Sequence, residues 1–302
     1  MAGVRAAAMI LAAGLGTRLR PLSDELAKPL VPVGDEPLLA RVARRLAAAG
    51  AERAVVNVFH RPADFEGRGP WPLPLAFSYE RDLLGTAGGI ARAREHFGGR
   101  DVVVCNGDIE AEVELAALEG RLASAGASAV LAVRPGLPGG GAVGVGEGGR
   151  VVRLRGFRRG DERWGGTYVG VAALSAALVA SLPERGCLVG DALGPLVAAG
   201  GVVLALPYEG PFYDVGSAEG YLGANLAWLE RRGPGSFVGR GARVSPEVRL
   251  ERCVVGEGAL VEGRGELREC VLWPGARASA PLERSVVSAE GRLLSAGPRG
   301  AG

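Results

Sequence analysis

The sequence is short of charge imbalance, lysine, histidine and cysteine, and it has no long apolar run. Thirty-five basic side chains against 33 acidic ones leave a formal net charge of +2 over 302 residues, without a block of one sign. That balance lacks the broad positive surface that nucleic acid or an anionic membrane requires, so neither is expected as a partner and a small molecule is. The apolar run from Ala6 to Ala13 is too short to span a bilayer and leads directly into Gly14-Leu15-Gly16-Thr17-Arg18, so it reads as a buried strand rather than an anchor or signal. Cys105, Cys187, Cys253 and Cys270 lie far apart without paired metal-ligand spacing, which argues against a disulfide framework and for a reducing cytoplasm. His60 and His96, the only histidines, stand outside every motif and receive no catalytic role. Lysine occurs once among the basic residues, as Lys28, in a chain otherwise biased to Arg, Ala, Gly and Val.

What is present is an apolar fraction of 48%, enough for one large domain or two smaller ones. Up to about residue 232, short apolar runs alternate with Ala/Leu/Arg stretches of helical period, the pattern of strands joined by crossover helices over a parallel sheet. Strands are expected at 7–11, 54–58, 102–105, 129–133 and 202–206, and helices at 37–49, 88–97, 113–125 and 218–229. Ligands of such sheets sit beyond the carboxyl ends of strands, where residues 14–18 and 106–108 fall. After Arg231-Arg232-Gly233-Pro234-Gly235 the helical period stops. Leu250-Glu-Arg-Cys-Val-Val255 then returns as Leu267-Arg-Glu-Cys-Val-Leu272 and as Leu282-Glu-Arg-Ser-Val-Val287, separations of 17 and 15 residues that imply stacked coils.

The strongest local motif is Leu11-Ala-Ala-Gly-Leu-Gly-Thr-Arg-Leu-Arg-Pro-Leu22, followed by Lys28-Pro29-Leu30-Val31-Pro32-Val33. Gly14 and Gly16 allow a sharp turn that brings amide N–H groups against phosphate oxygens, while Arg18 and Lys28 supply positive charge. The P-loop ending Gly-Lys-Ser/Thr is absent, and so is the full dinucleotide fingerprint. Asp108 follows a buried apolar strand and a glycine, a place from which a carboxylate can serve a metal at the sheet's carboxyl edge.

The stretch from Leu11 to Val33 resembles the signature of the sugar-1-phosphate nucleotidyltransferase family. Leu84-Gly-Thr-Ala-Gly-Gly-Ile90, Val104-Cys-Asn-Gly-Asp-Ile109, Gly166-Thr-Tyr-Val169 and Tyr213-Asp-Val-Gly-Ser-Ala-Glu-Gly-Tyr-Leu222 follow in the family's order. The C-terminal repeats, with Val238-Gly-Arg-Gly-Ala-Arg-Val244 and Val255-Gly-Glu-Gly-Ala-Leu-Val261, resemble the hexapeptide left-handed β-helix of family members such as mannose-1-phosphate guanylyltransferases. The resemblance implies a Rossmann-like α/β nucleotidyltransferase domain over 1–232 with a mixed, mainly parallel sheet, then a short left-handed parallel β-helix over 236–290. A disordered tail is expected over 291–302. Cys253 and Cys270, at equivalent places in successive repeats, are expected to stack inside the coils, and the coils to mediate homo-oligomerisation.

The same resemblance implies the reaction and the roles. A sugar 1-phosphate oxygen attacks the α-phosphorus of a nucleoside triphosphate, pyrophosphate leaves, and no protein nucleophile is needed. Arg18 and Lys28 steady the triphosphate and the transition state, and Asp108 and Asp214 hold one Mg²⁺. Nucleotide contacts come from Leu11, Ala12, Ala13, Gly14, Gly16, Thr17, Gly85 and Thr86. Glu80 takes the position that touches the base, where a carboxylate suits guanine. Sugar-phosphate contacts come from Asn106, Gly144, Arg155, Gly166, Thr167 and Tyr168. Where many relatives carry Glu-Lys-Pro, this chain reads Val151-Val-Arg-Leu-Arg-Gly-Phe157, so Arg153 or Arg155 takes over the phosphate, or the segment is a solvated edge strand. GTP with mannose 1-phosphate is the preferred substrate pair. Glucose 1-phosphate with UTP or dTTP, N-acetylmuramic acid 1-phosphate with UTP, and a non-catalytic nucleotide-sugar-binding subunit are the alternatives.

Overall fold

Strands of Ala, Val, Ile and Met with no polar face form where both sides of a sheet are covered, and the chain has three such runs near its start. The computed structural model describes residues 5–297. It falls into two units: the described residues up to Gly14 with Ala40–Pro62 and Glu66–Phe212, and Leu15–Leu39 with Ala63–Phe65 and the described residues from Tyr213 onward.

The first unit is built on a ten-stranded mixed sheet. Its strands are β1 (Ala7–Leu11), β2 (Ala54–Val58), β3 (Leu75–Tyr79), β4 (Val102–Asn106), β5 (Ala129–Gly136), β6 (Val143–Val145), β7 (Val151–Leu154), β8 (Phe157–Arg158), β9 (Trp164–Leu174) and β10 (Val203–Pro207). They run in the order β8-β7-β6-β9-β4-β1-β2-β3, with β5 pairing both β9 and β10. β1 lies parallel between β2 and β4, Met9 facing Val55 on one side and Val104 on the other. The chain leaves β1 for one neighbour and later returns to the other, which makes the carboxyl end of β1 a switch point where a crevice opens. β9 is antiparallel to β4, β5 and β6, so the sheet is parallel at its centre and antiparallel on one flank.

The helices of eight residues or more are α1 (Leu38–Ala48), α2 (Gly85–Arg92), α3 (Leu115–Ala125) and α4 (Ala218–Arg232). All four were expected, but α2 starts three residues earlier than its apolar period suggested and gives way to a 3-10 turn at Arg94–Phe97. β3, β6, β8 and β9 were not expected, and β7 only as the edge-strand alternative. β9 opens with Trp164-Gly-Gly-Thr, a poor strand signal, because a Cβ at Gly166 would lie 2.3 Å from the Arg134 carbonyl oxygen of its neighbour.

In the second unit the repeats pair in parallel, residue for residue: Val238 with Val255, Val255 with Leu272, and Leu272 with Val287. A further ladder pairs Arg243–Val244 and Arg277–Glu283 with Leu260–Arg268. Val255, Val261, Leu267, Leu272, Ala276 and Val286 are buried inside, and the Cys270 amide points at the Cys253 sulfur 3.4 Å away, so the cysteines do stack. Glu269, also buried, is held between Arg252 at 3.1 Å and the buried Arg284 at 2.8 Å, and Arg284 also reaches Glu219 of α4 at 2.7 Å. Ser217 caps α4, its hydroxyl accepting from the Gly220 amide. The expected disorder of the tail does not hold at its start: Leu293–Ser295 is a strand antiparallel to Ser285–Val287, and residues 298–302 lie outside the described ones. Among the described residues, no helix is long and apolar enough to cross a membrane.

Candidate active site

At the carboxyl end of β1, β2 and β4 the first unit opens a cleft of about 250 Å³. Leu11, Ala13, Gly14, Gly85, Thr86, Asn106 and Asp108 line it, together with Asn57 and Leu83, which sequence reasoning did not single out. The Gly107 amide donates to the Leu11 carbonyl at 2.8 Å and ties the turn carrying Asp108 to the end of β1. The start of α2 is clamped from a third segment: the Gly186 amide donates to Leu84, the Ala87 amide to Gly186, and the Leu188 amide to the Thr86 hydroxyl oxygen at 2.7 Å. Gly85 has φ +76° and its missing Cβ would sit 2.4 Å from the Gly186 oxygen, so only glycine fits there.

Two predicted nucleotide contacts lie behind the cleft rather than in its wall. Ala12 is buried and its amide donates to Asn57 Oδ1 at 2.9 Å. Glu80, expected at the base, is 7% exposed and has both oxygens engaged, Oε1 by Asn57 Nδ2 at 2.7 Å and Oε2 by the Leu84 amide at 3.1 Å. Its suitability for guanine therefore drops out as an argument.

The predicted sugar-side residues Gly144, Gly166, Thr167 and Tyr168 belong to β6 and β9, and Arg155 to the turn after β7; of that set only Asn106 lines the cleft. A Cβ on Gly144 would strike the Glu162 carboxylate at 2.4 Å, so its bareness serves packing. The two arginines differ in their partners. Arg153 is heavily committed: Nε and Nη2 hold Glu162 at 2.8 and 3.0 Å, Nη1 reaches the Gly141 carbonyl, and Nη2 also lies against the carbonyls of Gly140 and Val143. Arg153's hydrogen bond holds the Glu162 carboxyl down at about 2. Arg155, exposed in a turn at φ +52°, is the one that remains available to a ligand. The Tyr168 hydroxyl is buried without a hydrogen-bond partner, and burial pushes its pKa up.

The second unit carries the charges. Arg18 Nη2 bonds Asp214 Oδ2 at 3.0 Å, and Lys28 Nζ stands 3.8 Å from Asp214 Oδ1. Lys28 is only 6% exposed, whereas the Arg18 side chain is 65% exposed. The Gly216 amide donates to Asp214 Oδ1 at 2.8 Å. Partial burial pushes the Asp214 pKa up, but the Gly216 amide, the Arg18 hydrogen bond and the Lys28 charge outweigh it and the net shift is downward. Gly216, quoted in the motif but given no role, proves central: its Cβ would lie 2.6 Å from Arg18 Nη2, Asp214 Oδ1 and Lys28 Nζ alike. Gly16 turns at φ +66°, its carbonyl accepting from the Ser23 hydroxyl, and Thr17 opens the short 3-10 helix that carries Arg18.

A second cluster was missed altogether. Glu110, two residues after Asp108, is buried between Arg41 at 2.6 Å and Arg45 at 2.8 Å of α1. Burial raises its pKa, and the Arg41 hydrogen bond with the Arg45 charge more than reverses that. It fastens the segment that bears Asp108.

Residues 7–155 match the family model described as Nucleotidyl transferase. The chain is 36% identical over 115 residues to mannose-1-phosphate guanylyltransferase of Mycobacterium tuberculosis, covering 37% of this chain and 32% of that protein. It is 40% identical over 115 residues to N-acetylmuramate alpha-1-phosphate uridylyltransferase of Neisseria meningitidis, covering 36% of this chain and 50% of that protein. The chain thus spans between about a third and a half of the length of these two curated relatives. Among solved structures, HddC from Yersinia pseudotuberculosis complexed with GMP-PN shares the fold at a TM-score of 0.62 and 23% identity, over 74% of this chain and 99% of that one. The glycine turn after β1, the start of α2 and the Asp108 turn all lie inside residues 7–155, the stretch of just under half the chain that matches the nucleotidyl transferase family.

Proposed function

We propose that this chain is an enzyme that transfers a nucleotidyl group from a nucleoside triphosphate to a sugar 1-phosphate, with release of pyrophosphate. The observation that carries the reading is the cleft at the carboxyl edge of the sheet, walled by three separate motifs and containing Asp108. Backbone turns at Gly14 and Gly85 and the short Thr86 side chain leave room for a flat base and ribose. Arg18 gives one donor to Asp214 and keeps others for phosphate oxygens, and Lys28 is a compact, largely buried point charge of the kind that steadies developing negative charge. The sugar phosphate attacks the α-phosphorus in line, so positioning and charge neutralisation carry the rate.

Mg²⁺ is the proposed cofactor, with Asp108 and Asp214 as its protein ligands. The donor chemistry fits: both are carboxylates, and among the described residues no group of three or more His, Cys, Asp or Glu forms a ready-made cage, so phosphate oxygens and water would complete the shell, as is usual for this ion. When bound, it neutralises charge on the two substrates' phosphates. Arg155 is the proposed contact for the sugar phosphate, and the unpartnered Tyr168 hydroxyl a contact for the sugar. GTP with mannose 1-phosphate is the preferred pair, supported by the Mycobacterium tuberculosis relative; UTP with N-acetylmuramic acid 1-phosphate is supported by the Neisseria meningitidis one. The parallel C-terminal coils are proposed to be a left-handed β-helix that mediates self-association in the cytoplasm.

The test is a matrix of four sugar 1-phosphates against GTP, UTP, dTTP, ATP and CTP with Mg²⁺, following pyrophosphate release. One active combination that disappears in Lys28→Ala and Asp108→Ala proteins establishes the reaction and both substrates. Silence across the matrix with retained nucleotide binding by calorimetry points to a nucleotide-sugar-binding regulatory protein.

A further inference from the structure

Asn57 stands alone as a polar residue in β2, 2% exposed, and its amide is used in both directions. Oδ1 accepts from the Ala12 amide at 2.9 Å, and Nδ2 donates to Glu80 Oε1 at 2.7 Å. Glu80 Oε2 then accepts from the Leu84 amide at 3.1 Å. The Ala12 N–H can only donate, which fixes the orientation of the Asn57 amide without ambiguity. Three hydrogen bonds therefore run from the turn after β1 to the loop before α2. The first of these supplies Ala13 and Gly14 to the cleft, and the second supplies Leu83, Gly85 and Thr86. Room for the relay is reserved by Gly89, whose Cβ would stand 2.6 Å from Asn57 Nδ2 and 2.8 Å from Glu80 Oε1.

We propose that Asn57 and Glu80 are a positioning pair that sets the separation of the two loops around the nucleotide, with Glu80 acting through the Leu84 amide instead of touching the base. A bond to a buried carboxylate is among the stronger hydrogen bonds, and breaking it strands the partner donor in the interior, so the two loops cannot drift independently. The inference rests on the nucleotidyl-transfer reading of the cleft.

The arrangement can be inverted, which gives a test that a general loss of stability does not mimic. Asn57→Asp sets two carboxylates against each other across the relay, and Glu80→Gln leaves one oxygen where two acceptors are required. In the double variant all three bonds return, the central one with donor and acceptor exchanged: Ala12 N–H to Asp, Gln amide to Asp, and Leu84 N–H to the Gln oxygen. Calorimetry of the full chain with GTP, UTP, dTTP, ATP and CTP identifies the nucleotide that the wild type binds, and the variants are titrated with it. Each single change is expected to weaken binding about tenfold or more, and the double variant to recover to within about threefold of wild type. Singles with wild-type affinity overturn the proposal, and so does a double variant no better than its weaker parent. Should the singles fail to fold, the double variant and Gly89→Ala decide the matter. The Gly89 change keeps every donor and acceptor but wedges the pair apart, so unchanged affinity in it overturns the inference too. A wild type that binds none of the five nucleotides overturns the reading of the cleft along with it; a wild type that binds, with indifferent variants, overturns the relay alone.

Discussion

In the first unit Arg153 grips Glu162 through two nitrogens and sends its other donors to three backbone carbonyls, with the Glu162 side chain 5% exposed. In the second, Arg18 makes a single bond to Asp214 and stays largely in solvent, with Lys28 at ion-pair distance from the same carboxylate. Both are arginine–carboxylate pairs, and they differ in how many guanidinium donors are committed: Arg153 gives most of its donors to protein acceptors and holds the fold together, while Arg18 gives one to Asp214 and has others to offer an anion.

If that contrast is right, the largest effect belongs to Lys28→Ala, expected to cut pyrophosphate release about 10²- to 10³-fold, with the melting temperature measured alongside to show that the fold survives. A loss below tenfold would erase the distinction between the two pairs. Gly216→Ala comes next, because its methyl would intrude on all three charged tips; a displacement of this kind is worth up to about 10²-fold in rate, read from the same assay. Glu162→Gln should leave the rate alone and cost about 2 kcal/mol of stability in urea titrations. Its pH signature has a definite sign. Arg153 lowers the folded carboxyl from 4.5 to about 2, so the stabilisation is complete above the unfolded value and fades as pH falls from about 4.5 towards 2; the variant's stability should fall less steeply than the wild type's across that window, by this one contribution. The smallest effect is Arg155→Ala, expected to raise KM for the sugar 1-phosphate about tenfold with kcat nearly unchanged. An equal loss in Arg153→Lys, without loss of stability, would show that the two arginines have been assigned the wrong way round.

Much of the cleft's lining was legible because a tight turn at the end of a strand needs particular residues in a row. Leu11 to Gly14, Gly85-Thr86 and Asn106 to Asp108 are such rows, and each strand-to-turn transition announces itself by apolar residues giving way to glycine. Asn57 was not legible. A lone amide in Ala-Val-Val-Asn-Val looks like an accident of strand composition, and its meaning lies in an acceptor 23 residues away. Glu110 escaped for the same reason, its partners being on a helix 65 and 69 residues earlier. Glu80 was noticed but misplaced, since spacing from Gly85 fixes the neighbourhood of a side chain and not the direction in which it points. The Arg153/Arg155 ambiguity is a matter of two residues: one falls inside a strand opposite Gly144, the other in the turn beyond it. β9 failed as a prediction because its glycines are there for the approach of neighbouring backbone, which local propensity does not register.

The solitary lysine has a practical corollary. Across all 302 residues Lys28 is the one ε-amine, and it sits 6% exposed beside Asp214. Reagents that acylate or form imines with primary amines therefore have a single side-chain target, and that target is slow unless the reagent itself carries an anion into the pocket. Pyridoxal phosphate followed by borohydride should leave one adduct at this position, detectable by mass spectrometry and suppressed by the cognate triphosphate. Any lysine-directed modification of this chain falls on Lys28 and has no other lysine on which to be lost.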